Sequence, residues 1–329
     1  MIGIFRQKKP ANVLLLLIFG VLIKLPVFFH PHIPVKEDKD GIFFLALMNV
    51  LQPAAKSAPV IFPLLAFVLL FRQAISLTRI MNDQRLMSRS NYLPGMAYLL
   101  ITSFFPEWNY FSAPLLINSI LILILSWLFK IYNNPKVKGI IFNIGLAIGI
   151  CSFIFFPSIT FFVWVLFALI IMRPFRINEW LLCLVGVTVP YYFYAAYLFF
   201  TDHWSWQKLT PYLSIKIPLI QQSIWIAGSS FLLMIPFLIG GYYVQDNLRR
   251  LLIQVRKTWS LLLLYLLIAI FVPFVNTSNG FENWVMAAVP FAAFHSATYF
   301  YPPRKIFPQI LFWLAIAFVL TYQYYWGWS

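Results

Sequence analysis

The chain has 329 residues, of which 62% are hydrophobic, 10% are charged and 35 are phenylalanine. A soluble domain cannot cover so much apolar surface, so this composition excludes an ordinary soluble enzyme and indicates a protein embedded in a lipid bilayer. The net charge of +15 does not indicate nucleic-acid binding, because the basic residues separate apolar runs. That is the pattern that orients helices in a membrane.

Apolar runs bounded by charged residues, proline or glycine predict an all-α, polytopic membrane protein with about eleven transmembrane helices. The third and sixth runs are short for a hydrocarbon core of about 30 Å, and a re-entrant segment is the alternative for either. The predicted spans are 11–29, 57–73, 92–105, 112–130, 139–156, 158–172, 180–200, 222–244, 259–275, 283–301 and 306–325.

The distribution of basic residues favours all eleven crossings with the N-terminus inside. In this arrangement the inner turns hold eighteen of the 24 Lys and Arg residues, Arg72 and Arg79 among them, and the outer loops hold five. Since Lys and Arg are retained on the cytoplasmic side, the sequence predicts a membrane protein with its N-terminus in the cytoplasm and its C-terminus outside. The whole chain, 1–329, is predicted to be one transmembrane domain without a soluble domain.

Two outer segments are predicted to be longer than simple turns. The first covers 30–56 and contains a helix from Ile42 to Gln52 that is too short to cross a bilayer. This helix is expected to lie at the outer membrane interface or against the bundle. The second segment covers 201–218 and interleaves aromatic with basic residues.

The first outer loop carries three of the nine acidic residues, Glu37, Asp38 and Asp40. Carboxylates at this spacing can share a divalent cation or polarise the hydroxyl group of an acceptor. We therefore predict that these three residues are catalytic, with Asp38 and Asp40 as the ligands if a metal ion is bound. The alternative is a solvated turn that keeps the loop in water.

Other polar residues of the predicted outer face are candidates for the same site. Glu107, in a short outer turn, can add a further carboxylate, or it is a solvated turn acid. The segment 201–218 contains cations that can hold a lipid phosphate, and the alternative is a polar loop anchored by interfacial tryptophans. The candidate substrate-binding residues of this segment are Asp202, His203, Lys208 and Lys216.

Three features lie within predicted spans. Lys24 is in the outer part of the first span, where a charge is costly and indicates either a substrate-binding residue with an acidic partner or a side chain that reaches the membrane surface. His295 is predicted to be a hydrogen-bonded packing residue rather than a proton relay. Gly145 and Gly149 form a Gly-x-x-x-Gly sequence, which predicts close helix packing.

The sequence contains no motif for a soluble nucleotide: there is no Walker A loop and no Gly-x-Gly-x-x-Gly after a strand. The arrangement resembles the GT-C superfamily of membrane glycosyltransferases, which use polyprenyl-phosphate sugars on the outer leaflet. In that resemblance Glu37, Asp38 and Asp40 match the acidic motif of the first outer loop. Glu107 matches a further acid between the third and fourth spans. The first loop is shorter than is usual there, and a soluble C-terminal domain is missing.

The opening of the chain, with its Phe- and Ile-rich spans, also resembles an inner-membrane protein family of Bacteroidota. This resemblance implies a location in the bacterial inner membrane but no function. The resemblance to the GT-C superfamily implies glycosyl transfer from a polyprenyl-phosphate donor. Asp38 or Glu37 would act as base or metal ligand, Glu107 would assist, and the basic residues of 201–218 would hold the donor phosphate. The alternatives are a transporter or lipid-handling protein, with Lys24 and His295 along its path, and a non-enzymatic envelope assembly factor that binds a partner protein.

Overall fold

A computed structural model gives the structure of residues 2–34, 36, 40–209, 215, 223–275, 281–304 and 306–323, with only the backbone for 54–57 and 207. These residues form fourteen α-helices and no strand, which confirms the all-α prediction for this part of the chain. The helices are α1 (Ile2–Phe5), α2 (Ala11–Phe29), α3 (Ile42–Ser57), α4 (Ile61–Asp83), α5 (Leu93–Ile101), α6 (Ala113–Lys130), α7 (Lys138–Ile154), α8 (Phe161–Met172), α9 (Ile177–Phe200), α10 (Trp206–Leu209), α11 (Ile224–Asn247), α12 (Ile253–Phe271), α13 (Ala288–Phe300) and α14 (Ile306–Thr321).

Several of these helices have the length and hydropathy of membrane-crossing segments. Within the described residues, six are long and apolar enough to cross a bilayer, and four further apolar helices have 10–17 residues. This is the composition of a multi-pass membrane protein in contact with lipid. The six long segments are Ala11–Phe29, Ile61–Asp83, Ala113–Lys130, Ile177–Phe200, Ile224–Arg250 and Ile253–Phe274.

The second predicted span ends too early. Helix α4 runs from Ile61 to Asp83 rather than stopping at residue 73, so Arg72 and Arg79 lie within the helix and not in a turn. The helix continues because one face stays buried at helical spacing, at Leu70, Leu77 and Met81. The two arginines are on the exposed side of the same helix.

Two short helices form the centre of the bundle. Every residue of α5 is buried, and so is every residue of α13 except Phe300. The two helices pack against each other, and α5 also packs against α2 and α4. After Ile101 the Thr102 and Ser103 hydroxyls donate to carbonyls of the last turn of α5, and Pro106, which has no N–H, prevents the helix from continuing further. Protein surrounds both helices, so their shortness leaves no unsatisfied backbone facing lipid.

Contacts between turns divide the bundle into two ends. We name one the basic end, because its turns 84–92, 131–137, 173–176 and 248–252 carry most of the described cations outside helices. We name the other the Glu107 end. Contacts at the basic end join Phe5 to Tyr92, Arg6 to Tyr299, Gln84 to Gln254 and Arg173 to Ile131 and Asn134. Contacts at the Glu107 end join Gly41 to Ile154, Trp108 to Phe281, Phe104 to Ser229 and Ser103 to Gln323.

The Gly-x-x-x-Gly of α7 is a helix-packing surface, as predicted. A Cβ atom on Gly145 would lie 2.1 Å from the carbonyl oxygen of Cys183, and one on Gly149 would lie 2.6 Å from that of Val187. Residue numbers increase together along the contact, so α7 and α9 run parallel with α8 returning between them. Both cysteines of the chain are buried and free, in agreement with a packing role.

His295 is also a packing residue, as the sequence analysis favours. Its side chain is buried, and its Nε2 is 2.7 Å from the carbonyl oxygen of Leu233 in α11. On the next turn of α13, the Thr298 hydroxyl donates to the carbonyl oxygen of Pro236. Since Pro236 interrupts the hydrogen bonds of α11, these two side chains of α13 satisfy backbone oxygens near the interruption.

Candidate functional site at the Glu107 end

The turn that connects α5 to α6 contacts several other segments of the chain at the Glu107 end. It contains a 3-10 helix, Pro106–Asn109, in which Trp108 and Asn109 are buried and Glu107 is partly exposed. The indole of Trp108 donates to the carbonyl oxygen of Phe281 at 2.9 Å. Ser229 of α11 donates to Phe104 at 2.7 Å. The position of Glu107 is therefore set by elements from distant parts of the chain.

Lys24 holds the same turn from the side of α2. Its side chain is only 1% exposed, and its Nζ donates to the hydroxyl oxygens of Thr102 and Ser103 at 2.9 and 3.0 Å and to the amide oxygen of Asn109. No carboxylate of the described residues forms an ion pair with it. The acidic partner expected from the sequence is thus replaced by three neutral oxygens, and the side chain does not reach the surface.

This pairing predicts a strong energetic coupling between Lys24 and Asn109. Lys24→Met and Asn109→Leu are each expected to lower the midpoint of thermal unfolding, since each leaves a buried polar group without its partner. The double variant removes both groups, so its loss is expected to be smaller than the sum of the two single losses by about 1–2 kcal/mol. The measurement is thermal unfolding of the detergent-purified chain. If the loss of stability in the double variant equalled the sum of the two single losses, the contact between Lys24 and Asn109 would contribute nothing to stability.

Two stacked ring pairs lie in the same region as Glu107. His32 stacks on Tyr110 with ring centroids 4.1 Å apart and planes 5° apart. Trp225 stacks on Tyr322 at 5.2 Å and 9°. Partial burial lowers the pKa of His32. Four segments form this aromatic surface: the loop between α2 and α3, the turn after α5, the start of α11 and the end of α14.

The electrostatics tie Glu107 to two of these rings. Burial raises the pKa of Glu107 above its ordinary value of 4.5. Burial and then the nearby Glu107 carboxylate raise the pKa values of Tyr110 and Tyr322 to about 12. Glu107 forms no ion pair with any described residue. A half-buried carboxylate beside neutral phenols can accept a proton from a hydroxyl group, and the ring faces can pack against the apolar face of a ligand.

The other predicted site residues are distributed over separate places. Asp40 precedes Gly41, whose N–H donates to Ile154 at the end of α7. Glu37, Asp38 and Lys216 lie outside the described residues. In the part of the chain that the structure describes, no three His, Cys, Asp or Glu side chains come close enough to hold a metal ion.

The polar residues after α9 contact one another. The Nδ1 of His203 is 2.5 Å from the carbonyl oxygen of Thr201, and Lys208 donates to the carbonyl oxygen of His203 at 3.5 Å. His203 and Lys208 are exposed, as is Asp202, which has a φ of 54°. Their described contacts stay within this loop and do not reach the residues around Glu107.

Sequence reasoning identified Glu107 and Lys24 but missed the residues that surround them. His32 stands in the first loop and Tyr110 three residues after Glu107, yet no local spacing shows that their rings stack. Tyr322 and Trp225 come from the last helix and from α11, and only the tertiary structure brings them together. Comparison of the chain with known protein families, with curated protein sequences and with solved structures found no match, so the site is interpreted from its own chemistry.

Proposed function

We propose that the chain crosses the inner membrane eleven times, with the basic end in the cytoplasm and the Glu107 end outside. Two observations support this topology. The turns after successive predicted spans meet alternately at one end of the bundle and then at the other. The cations of those turns are concentrated at the basic end, as the retention of Lys and Arg on the cytoplasmic side requires.

We further propose that the protein transfers a sugar from a polyprenyl-phosphate donor to an acceptor hydroxyl at the outer face. The observation that carries this proposal is the placement of Glu107, a half-buried carboxylate that forms no ion pair with a described residue, beside Tyr110 and Tyr322. Carboxylates of this kind serve as general bases because burial moves their pKa toward the working pH. Aromatic rings supply the apolar faces against which a sugar ring packs.

In the proposed reaction the acceptor hydroxyl oxygen attacks the anomeric carbon of the donor sugar. The bond between that carbon and the phosphate oxygen breaks, and the polyprenyl phosphate leaves with the bonding electrons. The proton of the acceptor hydroxyl passes to the Glu107 carboxylate. Glu37, Asp38 and Asp40 are proposed as further carboxylates from the first outer loop, with a divalent cation as an optional partner. His203, Lys208 and Lys216 are proposed to hold the donor phosphate, Asp202 to bind another part of the substrate beside them, and Lys24 to position the turn.

The test is a transfer assay with the full chain reconstituted in liposomes with a polyprenyl-phosphate hexose and a mixture of glycan acceptors. The wild type is expected to release polyprenyl phosphate, and Glu107→Gln is expected not to. Asp83→Asn, at the basic end, is the matched control and should retain activity. A wild-type chain that transfers nothing while it co-purifies with a defined envelope protein would overturn the proposal in favour of an assembly factor.

A further inference from the structure

A groove of about 520 Å³ lies between α4 and α6, away from the Glu107 cluster, which consists of Glu107 with His32, Tyr110, Trp225 and Tyr322. It begins where Gln73 of α4 donates to Ser119 of α6 at 2.7 Å, and it extends along both helices to Asp83 and Lys130 at the basic end. The two helices therefore run in the same direction along the groove. Its volume lies in the range of pockets that hold drug-sized ligands.

Most polar residues of the groove follow a helical spacing. On α4 these are Arg72, Ser76, Arg79 and Asp83, with Gln73 beside Arg72 and Gln84 just after the helix, and on α6 they are Ser119, Ser126 and Lys130. Positions i, i+4, i+7 and i+11 lie on one face of a helix. Each helix therefore presents one stripe of polar side chains to the groove, and the cations outnumber the single carboxylate.

Two of these cations have no counter-charge among the described residues. Arg79 is paired with Asp83 at 3.7 Å. Arg72 and Lys130, in contrast, form no ion pair or side-chain hydrogen bond with any other described residue. Arg72 is the twelfth of the 23 residues of α4, about 16 Å from either end of the helix. An arginine in the middle of a membrane-spanning helix is costly unless an anion or water reaches it.

The groove also has an apolar wall. Ile120 and Leu123 of α6 line it together with the serines, and Leu123 is 45% exposed. A small soluble anion would use only the cations and hydroxyls. An amphiphile can use both surfaces, with its anionic head on Arg72, Lys130 and the serine hydroxyls and its chain along the apolar wall.

We propose that the groove between α4 and α6 is a binding site for a phosphate-bearing anion, with Arg72 and Lys130 as its cationic ligands. The apolar wall favours a lipid phosphate over a soluble one. Arginine is well suited to this role because its guanidinium donates two hydrogen bonds to one phosphate. The site is independent of glycosyl transfer, since none of its residues belongs to the Glu107 cluster.

The experiment uses the full chain in a neutral detergent and three probes: phosphatidylglycerol, phosphatidylcholine and inorganic pyrophosphate. Binding is followed by native mass spectrometry and by the shift of the thermal unfolding midpoint. Phosphatidylglycerol is expected to bind and stabilise the wild type, and Arg72→Gln and Lys130→Gln are each expected to weaken binding by about tenfold. Binding of pyrophosphate but not of phosphatidylglycerol would keep the phosphate site and identify its source as soluble.

Matched variants separate the groove from general attraction to a basic surface. Arg89→Gln with Lys136→Gln removes two cations from turns of the basic end outside the groove, and it should leave binding unchanged. Leu123→Trp keeps both cationic ligands but fills the groove, and it should weaken lipid binding in a chain that still folds. The proposal would be overturned if wild type, Arg72→Gln and Leu123→Trp bound phosphatidylglycerol equally. It would also be overturned if Arg89→Gln with Lys136→Gln weakened binding as much as Arg72→Gln does. Glu107→Gln should bind phosphatidylglycerol as the wild type does, whatever its effect on transfer.

Discussion

Glu107→Gln is expected to reduce glycosyl transfer by about 100-fold or more and, at the same time, to raise the thermal stability of the protein at neutral pH. The loss of transfer follows because glutamine cannot accept the proton of the acceptor hydroxyl. The gain in stability follows from burial. The folded protein holds this carboxylate in surroundings that disfavour its charge, and the amide removes that charge without changing the shape of the side chain.

The dependence on pH distinguishes this explanation from a general effect of the substitution. Because the pKa of Glu107 is raised above 4.5 in the folded state, the folded chain binds a proton that the unfolded chain has released. The stability of the wild type therefore falls as the pH rises from about 4.5 through the folded pKa, and the penalty stays constant above it. Tyr110 and Tyr322 remain neutral over this range because their pKa values are about 12.

The measurement compares unfolding midpoints of wild type and Glu107→Gln between pH 4 and pH 8. The two curves should meet near pH 4 and separate as the pH rises, with the variant above. Glu179→Gln is the matched control, since Glu179 is a buried carboxylate that, unlike Glu107, forms an ion pair with Arg173 at 3.1 Å. That variant should be less stable than the wild type and still transfer sugar. A wild type more stable than Glu107→Gln at pH 8 would show that the carboxylate has a partner that favours its charge.

The sequence was most informative where the physical signal is local. Each apolar run that was predicted to be a span contains a helix in the structure. The spacing of Gly145 and Gly149 predicted the close contact of α7 with α9. The limit of the second span was wrong because Arg72 and Arg79 were interpreted as turn residues. A charged residue does not mark the end of a helix when its side chain faces a polar groove. The apolar residues Leu70, Leu77 and Met81, which recur at helical spacing and are buried, were the better signal that the helix continues.

The candidate site shows where local reasoning ends. Lys24 was recognised because a charge within an apolar run is costly, but its partners are Thr102, Ser103 and Asn109 of another segment. Hydroxyl and amide groups are common in turns, so their spacing does not identify them as ligands of an ammonium group. The stacking of Trp225 on Tyr322 depends on the packing of the start of α11 against the end of α14. Only tertiary structure contains that information.

Gly240→Ala is expected to be among the most destabilising single substitutions in the chain, whereas Gly241→Ala is expected to be neutral or stabilising. A Cβ atom on Gly240 would lie 2.0 Å from the carbonyl oxygen of Phe294 and 2.8 Å from the hydroxyl of Thr298. Both atoms belong to the buried helix α13, which cannot move aside. A Cβ atom on Gly241 has no such neighbour within 4 Å. Neither glycine has a positive φ, so backbone strain does not contribute to the difference.

The two substitutions therefore change the same atoms in adjacent residues of one helix and differ only in the packing of the added methyl group. Gly240→Ala must separate α11 from α13 and should cost about 3 kcal/mol, while Gly241→Ala gains helix propensity. Thermal unfolding of the two purified variants measures the difference, and equal midpoints would contradict the close approach. Because α11 also carries Ser229, which holds the turn of Glu107 through Phe104, Gly240→Ala should lower glycosyl transfer at temperatures where the variant remains folded. Gly241→Ala should retain it.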